Sequence, residues 1–297
     1  MKNAILFLSL LILISCNTQK EENKIDYGSN PAAGNYADVN DIRMYYEIYG
    51  EGEPLLLLHG NGGSIGNFIY QIPELSGHFK VIAVDSRGQG RTTDSDQEIT
   101  YALMATDVAA LIDKLDLGKV NIVGWSDGGN IGLELAYAHP EKVLKVVTLG
   151  ANYTNTDWMA LPDSTVMDPD DSLILKISEF MKKAGEKEES LSPDPQRIPA
   201  IRVKLDNLMA NYPNFTPEQL NTIMVPFLII AGDHDMISID HTVSLYKNLP
   251  KAQLFIVPHA SHLVPLENPD LINSEVIRFL ETPYSDINGY YFMELIQ

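Results

Sequence analysis

Cysteine is almost missing from the 297-residue chain: Cys16 is the single one. An intramolecular disulfide, a Cys-based metal site and an iron–sulfur cluster are thereby excluded. Positive charge is scarce as well. Against 40 Asp and Glu stand 21 Lys and Arg, a formal charge of −19. A field of that sign repels phosphate backbones, so nucleic acid is not an expected partner. No Gly-rich phosphate loop follows the first buried strand in the way a dinucleotide site requires. The apolar run from Ala4 to Ile14 is too short to cross a membrane as a helix. No internal repeat is apparent. What remains is ordinary for one large globular body: 45% hydrophobic and 21% charged residues.

That N-terminal run carries information of its own. It follows the short start Met1-Lys2-Asn3 and ends in Leu13-Ile14-Ser15-Cys16, which suits a signal-peptide core. The last four residues resemble the lipobox of bacterial lipoproteins. The resemblance implies cleavage of residues 1–15, acyl chains on Cys16, and a protein held to the bacterial cell envelope by a lipid anchor, at the outer membrane. The alternative is a buried strand ending in an inert cysteine. Gln19-Lys20-Glu21-Glu22 is similar to the surface-export signals of some Bacteroidota lipoproteins. Residues 16–35 are polar, with Gly28, Ser29, Asn30, Pro31 and Gly34, and are expected to be a tether.

From Tyr36 short apolar runs alternate with helical stretches, which predicts a βαβ architecture. Ile42 to Tyr49 reads as an early strand. Pro54 to Leu58, Val81 to Val84, Val120 to Val123, Val143 to Leu149, Phe227 to Ile230 and Gln253 to Val257 read as strands covered on both faces. Ala102 to Leu115 has helical spacing, and Asn268-Pro269 opens a last helix with Asn as the cap. Between Gly150 and Val225 the pattern is helical only. Leu173, Ile177, Phe180 and Met181 form one face, and Ile198, Ile201, Leu205, Leu208 and Tyr212 another, with Thr216-Pro217-Glu218 as a third start. A structureless loop of this length is implausible. The expected division is a core of 36–150 and 225–282, a helical cap of 151–224 and a C-terminal extension of 283–297.

The chemistry concentrates in four stretches. Gly124-Trp125-Ser126-Asp127-Gly128 fits G-x-S-x-G and lies directly between a strand and a helical run. A serine there occupies a strained turn, the glycines avoid backbone collisions, and the helix N-terminus offers N–H groups to a developing oxyanion. The other stretches are His59-Gly60-Asn61-Gly62-Gly63, Gly232-Asp233-His234-Asp235 and His262 to Pro269. Asp85-Ser86-Arg87-Gly88-Gln89-Gly90 reads as a structural Arg–Asp turn.

These stretches, in this order, resemble the α/β-hydrolase superfamily over Tyr36 to Glu281, cap excepted. The resemblance implies an α/β-hydrolase fold: a mostly parallel sheet flanked by helices, with an inserted helical cap. It implies Ser126 as nucleophile, Asp235 as acid and His262 as base, with His259 structural. Asp233 would cap its turn and Asp240 the following helix. The main-chain N–H groups of Asn61 and Asp127 would form the oxyanion hole, and His59 would be a structural hydrogen-bonding residue. Gly124 to Gly129, with Gly150-Ala151-Asn152, is similar to valacyclovir hydrolase-like enzymes. There the acid after the nucleophile receives the ammonium group of amino-acid esters; here Asp127 would either do so or cap its helix. The expected activity is hydrolysis of a small carboxylic ester through an acyl-enzyme, with no metal or organic cofactor. Amide, lactone or carbon–carbon hydrolysis by the same residues is the first rival, and a non-catalytic binding lipoprotein the second.

Overall fold

Leu55 to Leu58 show why the strands are continuous apolar runs. Leu55 and Leu57 enter one hydrophobic cluster with Ile65, Phe68 and Ile72, while Leu56 and Leu58 enter another with Val108, Ile122 and Ile131. Successive side chains point to opposite faces, so a strand covered on both sides is apolar throughout. The computed structural model describes residues 25–159 and 185–285. Cys16, residues 1–15, the face Leu173 to Met181 and residues 286–297 lie outside the described residues. Among those described, no helix is long and apolar enough to cross a membrane.

Eight strands form one sheet: β1 Gly34–Val39, β2 Ile42–Tyr49, β3 Pro54–Leu58, β4 Lys80–Val84, β5 Val120–Trp125, β6 Val143–Leu149, β7 Phe227–Gly232 and β8 Ala252–Val257. Their order is β1-β2-β4-β3-β5-β6-β7-β8. β2 runs antiparallel to β1 and β4, and β4 through β8 are parallel. Helices α1 (Gln71–Leu75) and α6 (Pro269–Glu281) contribute to one hydrophobic cluster, α2 (Tyr101–Lys114) and α3 (Asp127–Ala138) to the other. The chain leaves β3 for β4 on one side and returns to β5 on the other. β3 and β5 therefore flank a topological switch point, where ligands enter parallel sheets. Register sets Leu58 beside Gly124, so the loop after β3 and the turn after β5 emerge together.

α4 (Ile198–Asn211) buries Ile201, Leu205 and Leu208 against the cluster of α2 and α3. It is also tied electrostatically: Asp94 Oδ2 receives Arg197 at 3.0 Å and Lys204 at 2.8 Å. Thr216 caps the turn Pro217–Leu220 in a capping box with Gln219. α5 (Ile239–Asn248) is capped by Ser238, whose hydroxyl accepts from His241 N–H at 3.2 Å. Asp240, expected as that cap, lies inside the first turn instead. Asn268 occupies the cap position of α6 without a side-chain bond.

The tether expected up to residue 35 ends earlier. Glu47, fully buried, accepts from Gly28 N–H at 2.9 Å, Asn30 N–H at 2.8 Å, Tyr45 OH at 2.8 Å and Tyr49 OH at 2.7 Å. Arg91 Nε donates to Gly28 O at 2.8 Å. A buried carboxylate needs donors, and residues 28–30 supply two of them, so that segment belongs to the body. β1 follows it directly.

Candidate active site

Ser126 is the junction of β5 and α3. Its backbone sits at φ 54°, ψ −119°, a region that a residue with a Cβ adopts only under strain of about 1–3 kcal/mol. The turn closes because its neighbours lack side chains. A Cβ on Gly124 would meet Gly128 O at 2.2 Å, and one on Gly128 would meet Leu58 O at 1.9 Å. The Ser126 N–H donates to Leu149 O at 2.8 Å. Its hydroxyl makes no hydrogen bond among the described residues, so it is free to turn toward a base.

Asp235 and His262 come from the ends of β7 and β8, which are laced together: His234 N–H donates to Ala260 O at 2.9 Å and Asp233 N–H to Val257 O at 3.0 Å. Asp233 Oδ1 accepts from Ala260 N–H at 3.2 Å, the turn role expected for it. His262 Nδ1 donates to Asp235 Oδ1 at 2.7 Å, which also accepts from Ile237 N–H at 2.9 Å. With Nδ1 carrying the proton, Nε2 is left as the basic nitrogen. Trp125, next to the serine, donates from Nε1 to His262 O at 3.0 Å. Gly150, φ 62°, ends β6 between them; a Cβ there would stand 2.8 Å from both Asp235 Oδ2 and His262 Nδ1. His259 is exposed and stacks on His234 with ring centres 6.1 Å apart.

The loop after β3 lies against the serine, since a Cβ on Gly60 would come within 3.2 Å of Ser126 Cβ. The main-chain N–H groups of Asn61 and Asp127 have no acceptor among the described residues, whereas the neighbouring Gly62 N–H donates to Gln89 Oε1 at 2.6 Å. His59 behaves as expected of a structural residue. Ser86 N–H donates to its Nε2 at 3.0 Å and its Nδ1 donates to Gly60 O at 2.8 Å. Arg87, fully buried, binds Asp107 at 2.7 and 2.8 Å and Asp41 at 2.6 Å, which makes its turn structural.

The order of the sheet, the strained serine between strand and helix, and an acid–imidazole pair at the ends of the next strands define one architecture. The profile described as alpha/beta hydrolase fold matches residues 53–173. The chain has the α/β-hydrolase fold. Among sequences, the chain is 29% identical over 269 residues to the 2-hydroxy-6-oxononadienedioate/2-hydroxy-6-oxononatrienedioate hydrolase of Burkholderia vietnamiensis, covering 82% of this chain and 92% of the relative. Among structures, it superposes on a meta-cleavage product hydrolase from Pseudomonas fluorescens with TM-score 0.68 and 23% identity, covering 84% of this chain and 98% of the other. An enol-lactonase from Burkholderia xenovorans gives TM-score 0.64 at 22% identity, covering 84% and 100%.

Asp127 departs from the cap role considered for it. Ser126, not Asp127, stands at the cap position of α3. The Asp127 carboxylate is 6% exposed; Oδ1 accepts from Tyr101 OH at 2.6 Å and Oδ2 from Asn61 Nδ2 at 2.8 Å. Burial raises its pKa, and the bonds from Tyr101 and Asn61 work against that. Each oxygen holds one donor, so an incoming ammonium group would share them with Tyr101 and Asn61. A different acidic residue lines a cavity. A cavity of about 230 Å³ is lined by Asn61, Gly62, Gln89, Glu188, Ile201 and Leu205, among others. Glu188 Oε2 is buried there without a hydrogen bond, and burial pushes the group up against the pull of the Ser64 hydroxyl.

Two histidines are held neutral by burial. Burial lowers His59 to about 4 and His241 to about 4, from 6.5. Between pH 6.5 and about 4 the unfolded chain takes up protons that the folded protein refuses. Both groups therefore remove stability as pH falls through that window, His59 by about 3 kcal/mol. Asp85, which burial raises to about 7, runs the other way: its folded form gains stability as pH falls below 7. The separable expectation is spectroscopic. At pH 5 the ring nitrogens of His59 and His241 keep neutral-tautomer 15N shifts; imidazolium shifts at that pH would contradict the burial argument.

Proposed function

We propose that the chain is a serine hydrolase that cleaves carboxylic esters by acyl transfer. The observation that carries this reading is the strained backbone of Ser126, held at φ 54° where β5 meets α3. A binding module has no use for such a serine, whose neighbour Trp125 is tied to His262, an imidazole itself bonded to a carboxylate. In this reading His262 takes the Ser126 proton as the oxygen attacks the ester carbonyl, and Asp235 stabilises the imidazolium. The Asn61 and Asp127 N–H groups receive the oxyanion. His262 then protonates the leaving alkoxide, and a water, deprotonated by the same imidazole, releases the acid and restores Ser126. Selectivity among esters is assigned to the cavity beside Asn61. Glu188 supplies the negative charge there, and amino-acid esters are the class it suits.

A fluorophosphonate probe tests the core of the proposal. Wild type should label once per chain, and Ser126→Ala should not label at all. A folded wild type that resists the probe and turns over no p-nitrophenyl ester would leave the non-catalytic binding protein as the better reading. The lactone or carbon–carbon alternative draws on relatives with those names; it would be favoured if the probe labels Ser126 while simple esters are poor substrates. The envelope location is proposed from the sequence alone, on Leu13-Ile14-Ser15-Cys16, and mass spectrometry of the mature N-terminus for acyl chains on Cys16 tests it.

A further inference from the structure

The loop that carries Asn61 is rich in glycine, with Gly60, Gly62 and Gly63 around it. Such a loop loses much conformational freedom when it is held in one shape. Its fixings are few. Gly62 N–H is held by Gln89 and Gly63 N–H donates to Gly60 O at 3.1 Å. The Asn61 side chain has one partner among the described residues, the carboxylate of Asp127 at 2.8 Å. That carboxylate is anchored from the other side by Tyr101, the first residue of α2 and 2% exposed, whose hydroxyl donates at 2.6 Å. Hydrogen bonds to a buried carboxylate are stronger and more directional than neutral ones. The chain thus runs from α2 through Asp127 to Asn61, whose main-chain N–H has no acceptor among the described residues and whose neighbour Gly60 lies against Ser126.

We infer that the Asp127 side chain is a positioning residue: it holds Asn61 by its amide so that the Asn61 N–H stands where the oxyanion forms, while the N–H of Asp127 itself is the second donor. The inference rests on the acyl-transfer reading above and adds to it the device that keeps the oxyanion hole assembled between turnovers. Both donors then answer to one residue, one directly and one through its side chain. Misplacing a donor costs rate in the transition state and little in ground-state binding.

The test is a set of three variants assayed with p-nitrophenyl acetate and by the rate of fluorophosphonate labelling, with circular dichroism to establish folding. In Asp127→Ala both acceptors are gone and the NH2 of Asn61 loses its partner, while the main-chain N–H of residue 127 stays. We expect kcat to fall roughly 10- to 100-fold with KM changed less than about threefold, within the loss that one displaced donor causes. Asp127→Asn, whose amide can accept from Tyr101 and, once Asn61 turns its own amide over, donate to Asn61 Oδ1, should recover most of that loss. Tyr101→Phe, which removes the anchor but not the Asn61 bond, should lie between wild type and Asp127→Ala. The inference is overturned if Asp127→Ala keeps wild-type kcat, if its defect is a rise in KM confined to ammonium-bearing esters, or if Asp127→Asn is no better than Asp127→Ala. Failure of wild type to label would instead strike the acyl-transfer reading, so the two are separable.

Discussion

His262→Ala should lower kcat for a simple ester on the order of 10⁶-fold, the size of loss seen when the base of a serine triad is removed. His259→Ala should change it by less than about threefold, as for a surface substitution. The contrast follows from where the rings sit. His262 is bonded through Nδ1 to a carboxylate that is itself buried, at 2.7 Å. Its carbonyl holds Trp125, the neighbour of the serine, at 3.0 Å, and this main-chain tie survives truncation of the side chain, so the variant should fold. His259 is turned away, at φ 60°, with its ring stacked on His234. Steady-state kinetics of the two variants with p-nitrophenyl acetate make the comparison; equal losses would remove the base assignment.

The second large effect concerns Asp235. In Asp235→Ala the imidazole loses its orienting acceptor and the Ile237 N–H is left without a partner, and kcat should fall on the order of 10⁴-fold. Asp235→Asn is the sharper experiment. One carboxylate oxygen, Oδ1, takes both hydrogen bonds, from His262 and from Ile237, while Oδ2 is buried with none. An asparagine can therefore keep its oxygen where Oδ1 was and place its amide nitrogen at the empty position. Tautomer and ring orientation are then preserved, and the loss reports the missing charge opposite the imidazolium. We expect Asp235→Asn to retain at least about tenfold more activity than Asp235→Ala, measured as kcat on the same ester. An asparagine variant as impaired as the alanine one would mean that its amide has flipped to face the ring.

Most of the sheet could be read from the residues because its central strands are mainly apolar, interrupted at Asn121, Lys145 and Thr148, and such runs need a cover on both faces. β1 could not. Its sequence is Gly-Asn-Tyr-Ala-Asp-Val, and only Ala37 and Val39 are buried. It is a strand because β2 offers it an edge, which is a property of the partner. The end of the tether was misplaced for a similar reason: nothing in Gly28-Ser29-Asn30 announces that a carboxylate at position 47 needs their N–H groups. The stretches around Ser126, Asp235 and His262 could each be located locally, since each is a turn at the end of a strand. The environment of Asp127 could not, because its partners lie 26 and 66 residues away in sequence. Position beside Ser126 suggests substrate contact; the bond to Asn61 adds a tie to the neighbouring loop.

The four donors gathered on Glu47 also decide where a shortened chain can begin. A fragment starting at Tyr36 would look complete, with every helix of the body and seven of the eight strands whole. It would nevertheless strip Gly28 and Asn30, two of its four donors, from a carboxylate that is fully buried in the intact body. A shortened chain should therefore begin before Asp26, whose carbonyl accepts from Ser29 N–H at 3.0 Å in the segment that supplies those donors.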